Sequence, residues 1–268
     1  MFFRGLVRVS TPIKMLGVAL GSFAGGIHFQ EQRKMSAMPP RGQQSIHKAL
    51  QVTPEQVRAI LTEEKASFQS ARKELESMKL LLSKKQIDQA IEKMAGEIAK
   101  EFEGEEHLLV LTMLQGASYF ATDLKRQLFS EHHLLFKEDA IRVTRYGDSH
   151  HGGQPKVERL PEPKNVVGRK ILIIEDLIEG GVTLQWTIDA LIKLGAKRED
   201  IYVAVLTNKV NARQEGYESV QPNYCGFTME YNYWVAGMGC DNKGYLRPAK
   251  DLMYFPPEEQ QILGYGKK

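Results

Sequence analysis

Cysteine is nearly missing from this chain: Cys225 and Cys240 are the only two among 268 residues, and their spacing matches neither a metal knuckle nor a redox pair. That excludes a disulfide-stapled secreted scaffold, so a reducing compartment with both thiols free is expected. An excess of charge of one sign is missing too. Lys and Arg number 36 against 33 Asp and Glu, a formal charge of +3, which is too small to argue for nucleic acid, and no nucleic-acid-binding motif is present. The chain has no apolar run that could span a bilayer: Met15 to Ile27 is interrupted by Gly17, Gly21, Gly25 and Gly26, whereas a spanning helix needs about 20 apolar residues. Stable membrane association is therefore not expected. Internal repeats are absent as well. What is there, 42% hydrophobic and 26% charged residues, suits one large globular domain or one domain with an appendage.

Residues 1–52 differ in kind from the rest. Arg4, Arg8 and Lys14 are the only Lys, Arg, Asp or Glu before Glu31, and three readings stay open: a signal-peptide core, an acid-poor organelle-targeting sequence, or an untargeted tail upstream of Met35 and Met38. Residues 31–52 are polar and read as linker. Thr53-Pro54-Glu55-Gln56 then has the form of a helix start, with Thr53 as N-cap and Pro54 at the first helical position. Val57, Ile60, Leu61, Phe68, Ala71, Leu75 and Met78 follow at near-helical spacing, which predicts a helical extension over residues 53–80 with one apolar stripe. That stripe is expected to cover the domain's own core, with a second subunit as the other candidate partner.

From residue 81 onward the pattern is that of an α/β domain. Ser83 to Gln86 forms a capping box before a helix carrying Ile87, Ile91, Met94, Ile98 and Phe102, which ends at Gly104. Leu108–Met113, Ala140–Tyr146, Ile171–Ile174 and Tyr202–Leu206 read as strands, with helices over Tyr119–Phe129 and Leu184–Leu194 between them. Strands alternating with helices predict a mostly parallel sheet with helices on its faces.

The most informative stretch is Ile171 to Thr183, ILIIEDLIEGGVT. An apolar run leads into Glu175 and Asp176, and two further apolar residues lead into Glu179 and the turn Gly180-Gly181-Val182-Thr183. Open α/β sheets bind ligands beyond the carboxyl ends of their strands. A glycine turn opening a helix can wrap backbone N–H groups around a phosphate, because helix-start amides lack intrahelical partners and carry partial positive charge. Acids able to hold sugar hydroxyls or a metal ion thus adjoin a phosphate cradle.

The stretch resembles the phosphoribosyl-pyrophosphate (PRPP) motif of type I phosphoribosyltransferases, and three further segments resemble the hypoxanthine-guanine branch of that family. The resemblance runs from about Leu81 to Tyr254. It implies an α/β type I phosphoribosyltransferase fold over residues 81–268, a mostly parallel sheet flanked by helices with a small hood. Leu114-Gln115-Gly116 resembles the pyrophosphate-binding loop, whose first bond, here Leu114–Gln115, is usually cis. Arg145-Tyr146, followed by a glycine- and histidine-rich loop, resembles the segment that closes over the active site and excludes water. The adjacent His150 and His151 lack the spacing of a helical metal site and read as solvated.

Lys209, Trp234, Val235, Asp241 and Arg247 stand, in order, where the family binds base and pyrophosphate. By resemblance, Lys209 hydrogen-bonds the purine 6-oxo group, a contact adenine's amino group cannot accept. Trp234 stacks on the base and the Val235 backbone meets its edge. Arg247 binds pyrophosphate, and Asp241, with Glu175 and Asp176, holds Mg2+. The implied reaction displaces pyrophosphate from PRPP by a ring nitrogen of hypoxanthine, guanine or xanthine. Glu175 and Asp176 then address the ribose, Gly180, Gly181, Val182 and Thr183 the 5′-phosphate, and Glu179 the purine proton. A cytoplasmic location and a homodimer or homotetramer are further implications.

The chain departs from the family at Gln115, often lysine; at Arg145, commonly serine; at Glu179, usually aspartate; and at Gly180, usually serine or threonine. These departures keep a second reading open, a regulatory phosphoribosyltransferase-fold protein that binds PRPP or nucleotides with little catalysis. A third is an inactive scaffold whose 53–80 helix binds a partner.

Overall fold

A computed structural model describes residues 53–145 and 155–265. The targeting and linker readings of residues 1–52, Tyr146 and the glycine- and histidine-rich loop with His150 and His151 lie outside the described residues, as does the side chain of Arg145. Helix α1 spans Pro54–Ser77 and strand β1 Lys79–Leu82. The α/β body follows as α2 (Lys84–Glu101), β2 (Leu108–Leu114), α3 (Ser118–Ser130), β3 (Lys137–Arg145), β4 (Pro155–Arg159), β5 (Lys170–Ile178), α4 (Val182–Lys193), β6 (Ile201–Lys209) and β7 (Tyr224–Met229). Two short strands, β8 (Val235–Ala236) and β9 (Leu252–Tyr254), and helix α5 (Pro257–Leu263) complete it.

The large sheet has the order β4-β3-β2-β5-β6-β7. All neighbours are parallel except β3 and β4. Its central strands are apolar on both faces because helices cover both. Alternation divides the residues: Leu108, Val110, Leu172 and Ile174 pack with Ile91, Ile98, Phe102 and Phe120 on one side, while Leu109, Leu111, Ile171 and Ile173 pack with Ile141, Ile188 and Leu191 on the other. Each such fully buried side chain contributes about 1.5–3 kcal/mol. The capping box is formed, Ser83 accepting from the Gln86 amide and Gln86 from the Ser83 amide.

A second sheet, β1-β9-β8, is antiparallel and pairs Lys79 with Tyr254 and Val235 with Tyr254. It forms the small hood. Architecture and hood match the α/β type I phosphoribosyltransferase fold expected from the sequence. No helix among the described residues is long and apolar enough to cross a membrane.

Two expectations need correction. Strand β5 does not stop at Ile174; it leaves β2 after Thr112↔Ile174 but stays on β6 through Ile178↔Asn208, so Glu175 and Asp176 lie within the strand. The stripe on α1 does not cover the core along its length. Ala71 is buried, but Val57, Ile60, Leu61, Phe68 and Leu75 are exposed, and the helix is held to the domain largely by polar contacts such as Tyr245 to Glu64. Phe68 sets its ring edge-on to Tyr245, and beyond it Glu74 accepts hydrogen bonds from Ser70, Asn242 and Tyr265 and pairs with Lys243.

Candidate active site

Parallel strands bring the carboxyl ends of β2, β5 and β6 together, and the candidate residues lie there. β2 ends in Leu114-Gln115-Gly116, and the Leu114–Gln115 peptide bond is cis. β5 ends in Glu179 and the turn that opens α4, whose N-cap is Gly181 at φ 84°. This left-handed backbone favours glycine. Glu175, Glu179, Gly180, Gly181 and Thr183 line a cavity of about 150 Å³, which has room for a phosphate beside the start of α4. Val182 is the helix's first residue.

β6 ends in Lys209, which is 3% exposed. Its Nζ lies 2.8 Å from Glu179 Oε1, and the Glu179 side chain is 49% exposed. A buried ammonium needs a partner; here it is Glu179, the acid to which the family resemblance assigns proton transfer. Lys209 and Glu179 therefore occupy one spot at the rim of that cavity.

Glu175 and Asp176 face opposite sides of β5, as alternation requires. Glu175 lines this same cavity. Asp176 is 9% exposed, and a Cβ added to Gly116 would stand 2.4 Å from Asp176 Oδ2. Its carboxylate thus lies directly behind the loop that follows the cis bond. Cys240 donates its thiol to Asp176 Oδ2 at 3.5 Å, and burial first, then the Asp176 charge, pushes that thiol's pKa well up. Gly239 closes the contact from the hood: a Cβ there would meet the Gly116 carbonyl oxygen at 1.9 Å.

The hood contributes the remaining residues. Val235 is buried. Trp234 stacks one face on Tyr265, with ring centroids 4.4 Å apart and planes at 13°. Arg247 Nη2 pairs with Asp241 Oδ1 at 2.5 Å, and Arg247 Nη1 donates to the Gly239 carbonyl at 2.6 Å. Asp241 Oδ2 accepts the Gly244 amide at 2.7 Å. Asp241 and Arg247 therefore stiffen the turn that carries Gly239.

No group of three or more His, Cys, Asp or Glu side chains among the described residues is arranged to hold a metal ion. Mg2+ does not need one, since it retains waters and is commonly held by one or two carboxylates together with substrate phosphates. Half-buried Glu175 and Asp241 supply oxygen donors of that kind, so the residues present fit Mg2+ carried by a phosphorylated substrate.

Sequence reasoning missed Cys240, Gly239 and Arg213. The first two carry no signal apart from their place in the Gly237-Met238-Gly239-Cys240 run. Arg213 follows Lys209 closely in sequence, and its significance lies in contacts that only the fold creates.

Residues 77–243 match the phosphoribosyl transferase domain family. The hypoxanthine-guanine phosphoribosyltransferase of Lactococcus lactis is 32% identical over 181 residues, covering 67% of this chain and 92% of that protein. The bifunctional protein TilS/HprT of Listeria innocua is 32% identical over 177 residues, 66% of this chain but only 25% of the relative, so the chain spans about a quarter of that relative's length. Among solved structures, a hypoxanthine phosphoribosyltransferase from Trypanosoma cruzi in complex with IMP superposes with a TM-score of 0.58 at 22% identity, covering 67% of this chain and 94% of the other. One from Staphylococcus aureus gives 0.59 at 20% identity, with 68% and 92% covered. At these identities the superpositions speak for the fold.

Proposed function

The chain belongs to the phosphoribosyl transferase domain family, and from that premise we propose that it transfers the phosphoribosyl group of PRPP to a 6-oxopurine, hypoxanthine, guanine or xanthine, releasing pyrophosphate. The observation that carries the proposal is the 2.8 Å contact between Lys209 and Glu179 at the rim of the phosphate cavity. A buried ammonium suits a 6-oxo acceptor, and the neighbouring carboxylate can take a ring proton from the same base.

In this scheme Gly180, Gly181, Val182 and Thr183 bind the 5′-phosphate. Glu175, facing the cavity, meets the ribose, while Asp176 backs the Gly116 segment of the pyrophosphate loop and reaches the ribose from that side. Leu114, Gln115 and Gly116 offer backbone to the pyrophosphate, and Arg247 its guanidinium. Trp234 is assigned by resemblance to stack on the purine and Val235 to meet its edge through the backbone. Arg145 and Tyr146 belong to the segment that closes over the site. Glu175, Asp176 and Asp241 would each offer a carboxylate to Mg2+ carried by the substrate phosphates, not as one three-acid cluster, and the ion would supply charge neutralisation for pyrophosphate. Glu179 accepts the purine proton as the ring nitrogen attacks, with Lys209 released from the carboxylate to hold the 6-oxo group. Residues 81–268 constitute the transferase domain and 53–80 its helical extension. A cytoplasmic homodimer or homotetramer completes the proposal.

The test is a spectrophotometric assay with PRPP, Mg2+ and each of hypoxanthine, guanine, xanthine and adenine. Turnover with 6-oxopurines and not adenine is expected. Binding of PRPP without turnover of any base would instead favour a ligand-sensing relative, the reading that Gly180 and the lengthened acid keep in play.

A further inference from the structure

We propose that Arg213 is a positioning residue that turns the backbone of the 178–181 segment so that its amides face the phosphate; the proposal rests on the transferase function above. Arg213 lies beyond the end of β6, after the short 3-10 turn Val210–Ala212. Its Nη1 donates to the carbonyls of Glu179 at 2.7 Å, Lys209 at 3.1 Å and Ile178 at 3.4 Å. Nε donates to the Val220 carbonyl at 3.1 Å, and Nη2 to Asn208 Oδ1. The next residue continues the series, the Gln214 amide donating to the Gly180 carbonyl at 3.1 Å. Three successive carbonyls, Ile178, Glu179 and Gly180, are thus drawn to one side by one loop.

Among the described residues Leu114–Gln115 is the cis bond, so the peptide units from Ile178 to Gly181 are trans. In a trans peptide the C=O of one residue and the N–H of the next point in opposite directions. Carbonyls held back by Arg213 and Gln214 therefore aim the amides of Glu179, Gly180 and Gly181 away from that loop. These residues line the cavity, and successive amides converging in this way make an anion-binding concavity.

The approach depends on the two glycines. A Cβ at Gly180 would come 3.0 Å from Gln214 Cγ, and one at Gly181 would come 3.3 Å from Arg213 Cδ, Tyr217 Cβ and Val220 Cβ. Gly180 is thus matched to a bracing loop. The same guanidinium grips the backbone of both Glu179 and Lys209, whose side chains pair across the site. Arg213 fits this task because its planar fork serves several acceptors at fixed angles, which a lysine ammonium cannot do.

The experiment compares wild type with Arg213→Lys and Arg213→Ala by steady-state kinetics and thermal unfolding. With the charge kept and the fork lost, Arg213→Lys is expected to raise KM for PRPP by about 10-fold or more, leaving KM for the purine within about threefold. Millimolar guanidinium should restore part of the loss in Arg213→Ala. An unchanged KM for PRPP, or an equal fall in every parameter that follows a lowered melting temperature, would overturn the inference. Should both variants fail to fold, hydrogen exchange of the wild type decides: ribose 5-phosphate should slow exchange at the Glu179, Gly180 and Gly181 amides, and no protection there overturns it. A wild type that turns over no purine with PRPP would defeat the proposed function instead, which keeps the two failures apart.

Discussion

Glu179 occupies the position where a small change in side-chain length matters most. Its carboxylate rests on Lys209 at 2.8 Å, so each neutralises the other, and the proposed function requires a bound purine to part them. If Glu179 is the proposed proton acceptor, Glu179→Gln removes that function while preserving shape, and turnover should fall by about 10²-fold or more with PRPP binding within a few-fold. Glu179→Asp shortens the arm to the family's usual length and should preserve or raise turnover. Intact turnover in Glu179→Gln would take the proton-handling role away from this residue. Gly239 makes a second prediction at the same scale. Its φ is 104°, and a Cβ would stand 1.9 Å from the Gly116 carbonyl, so Gly239→Ala should cost about 2–4 kcal/mol and dislodge the Leu114–Gly116 loop. Gly244→Ala is the control: its φ is 84° with nothing within 4 Å of an added Cβ, so only backbone strain of about 1–2 kcal/mol is expected. Equal losses in urea unfolding would show that the Gly239–Gly116 contact has no special weight.

Helix α1 shows how differently the two halves of one element can be held. Its N-terminal half exposes Val57, Ile60 and Leu61, so Val57→Thr, Ile60→Gln and Leu61→Gln should each shift unfolding free energy by less than about 0.5 kcal/mol. A loss of several kcal/mol in the isolated chain would mean that the stripe is covered after all. Its C-terminal half is anchored at Glu74. Burial would push that carboxyl up, but hydrogen bonds from Lys243, Asn242 and Ser70 together outweigh it and hold the pKa below its ordinary value. A lowered pKa stabilises the fold fully above the unfolded-state value and loses that contribution as pH falls through the folded one. Glu74→Gln should therefore cost about 1–2 kcal/mol at about pH 7, with solvent screening at Lys243 keeping it at the lower end, and progressively less as pH falls below the ordinary carboxylate range. A pH-independent difference in denaturant midpoint would contradict this. The sequence could show that α1 is helical, because its apolar spacing is local, but not where its partners end. Strand β5 is a parallel case. The Ile171–Ile174 run was legible, whereas its continuation through Ile178 depends on β6 alone pairing with it, a non-local fact that Glu175 and Asp176 disguise as a strand end.

At the scale of the molecule, the candidate site is divided between two sheets. The large sheet supplies the phosphate turn, Glu179 and Lys209, and the hood supplies Trp234, Val235, Asp241 and Arg247. The motifs on the large sheet were readable because each is contiguous and sits where an apolar strand gives way to small or charged residues. The hood's strands were not, since β1, β8 and β9 have only two to four residues each and pair positions as distant as Lys79 and Tyr254, leaving no local periodicity to detect. A ligand that reaches both sheets should stabilise the fold differently from one that reaches only the first. A ligand that binds the folded state at about 100 times its dissociation constant adds about 2.7 kcal/mol, or roughly 5–10 °C in Tm for a domain of this size. At equal concentration, inosine or guanosine monophosphate should therefore raise Tm further than ribose 5-phosphate, which engages the phosphate turn alone. Trp234→Ala and Lys209→Ala should each remove most of that increment while leaving the ribose 5-phosphate shift in place. Identical shifts for nucleotide and sugar phosphate in the wild type would mean that the base finds no purchase on the hood or on Lys209, and would confine binding to the phosphate turn.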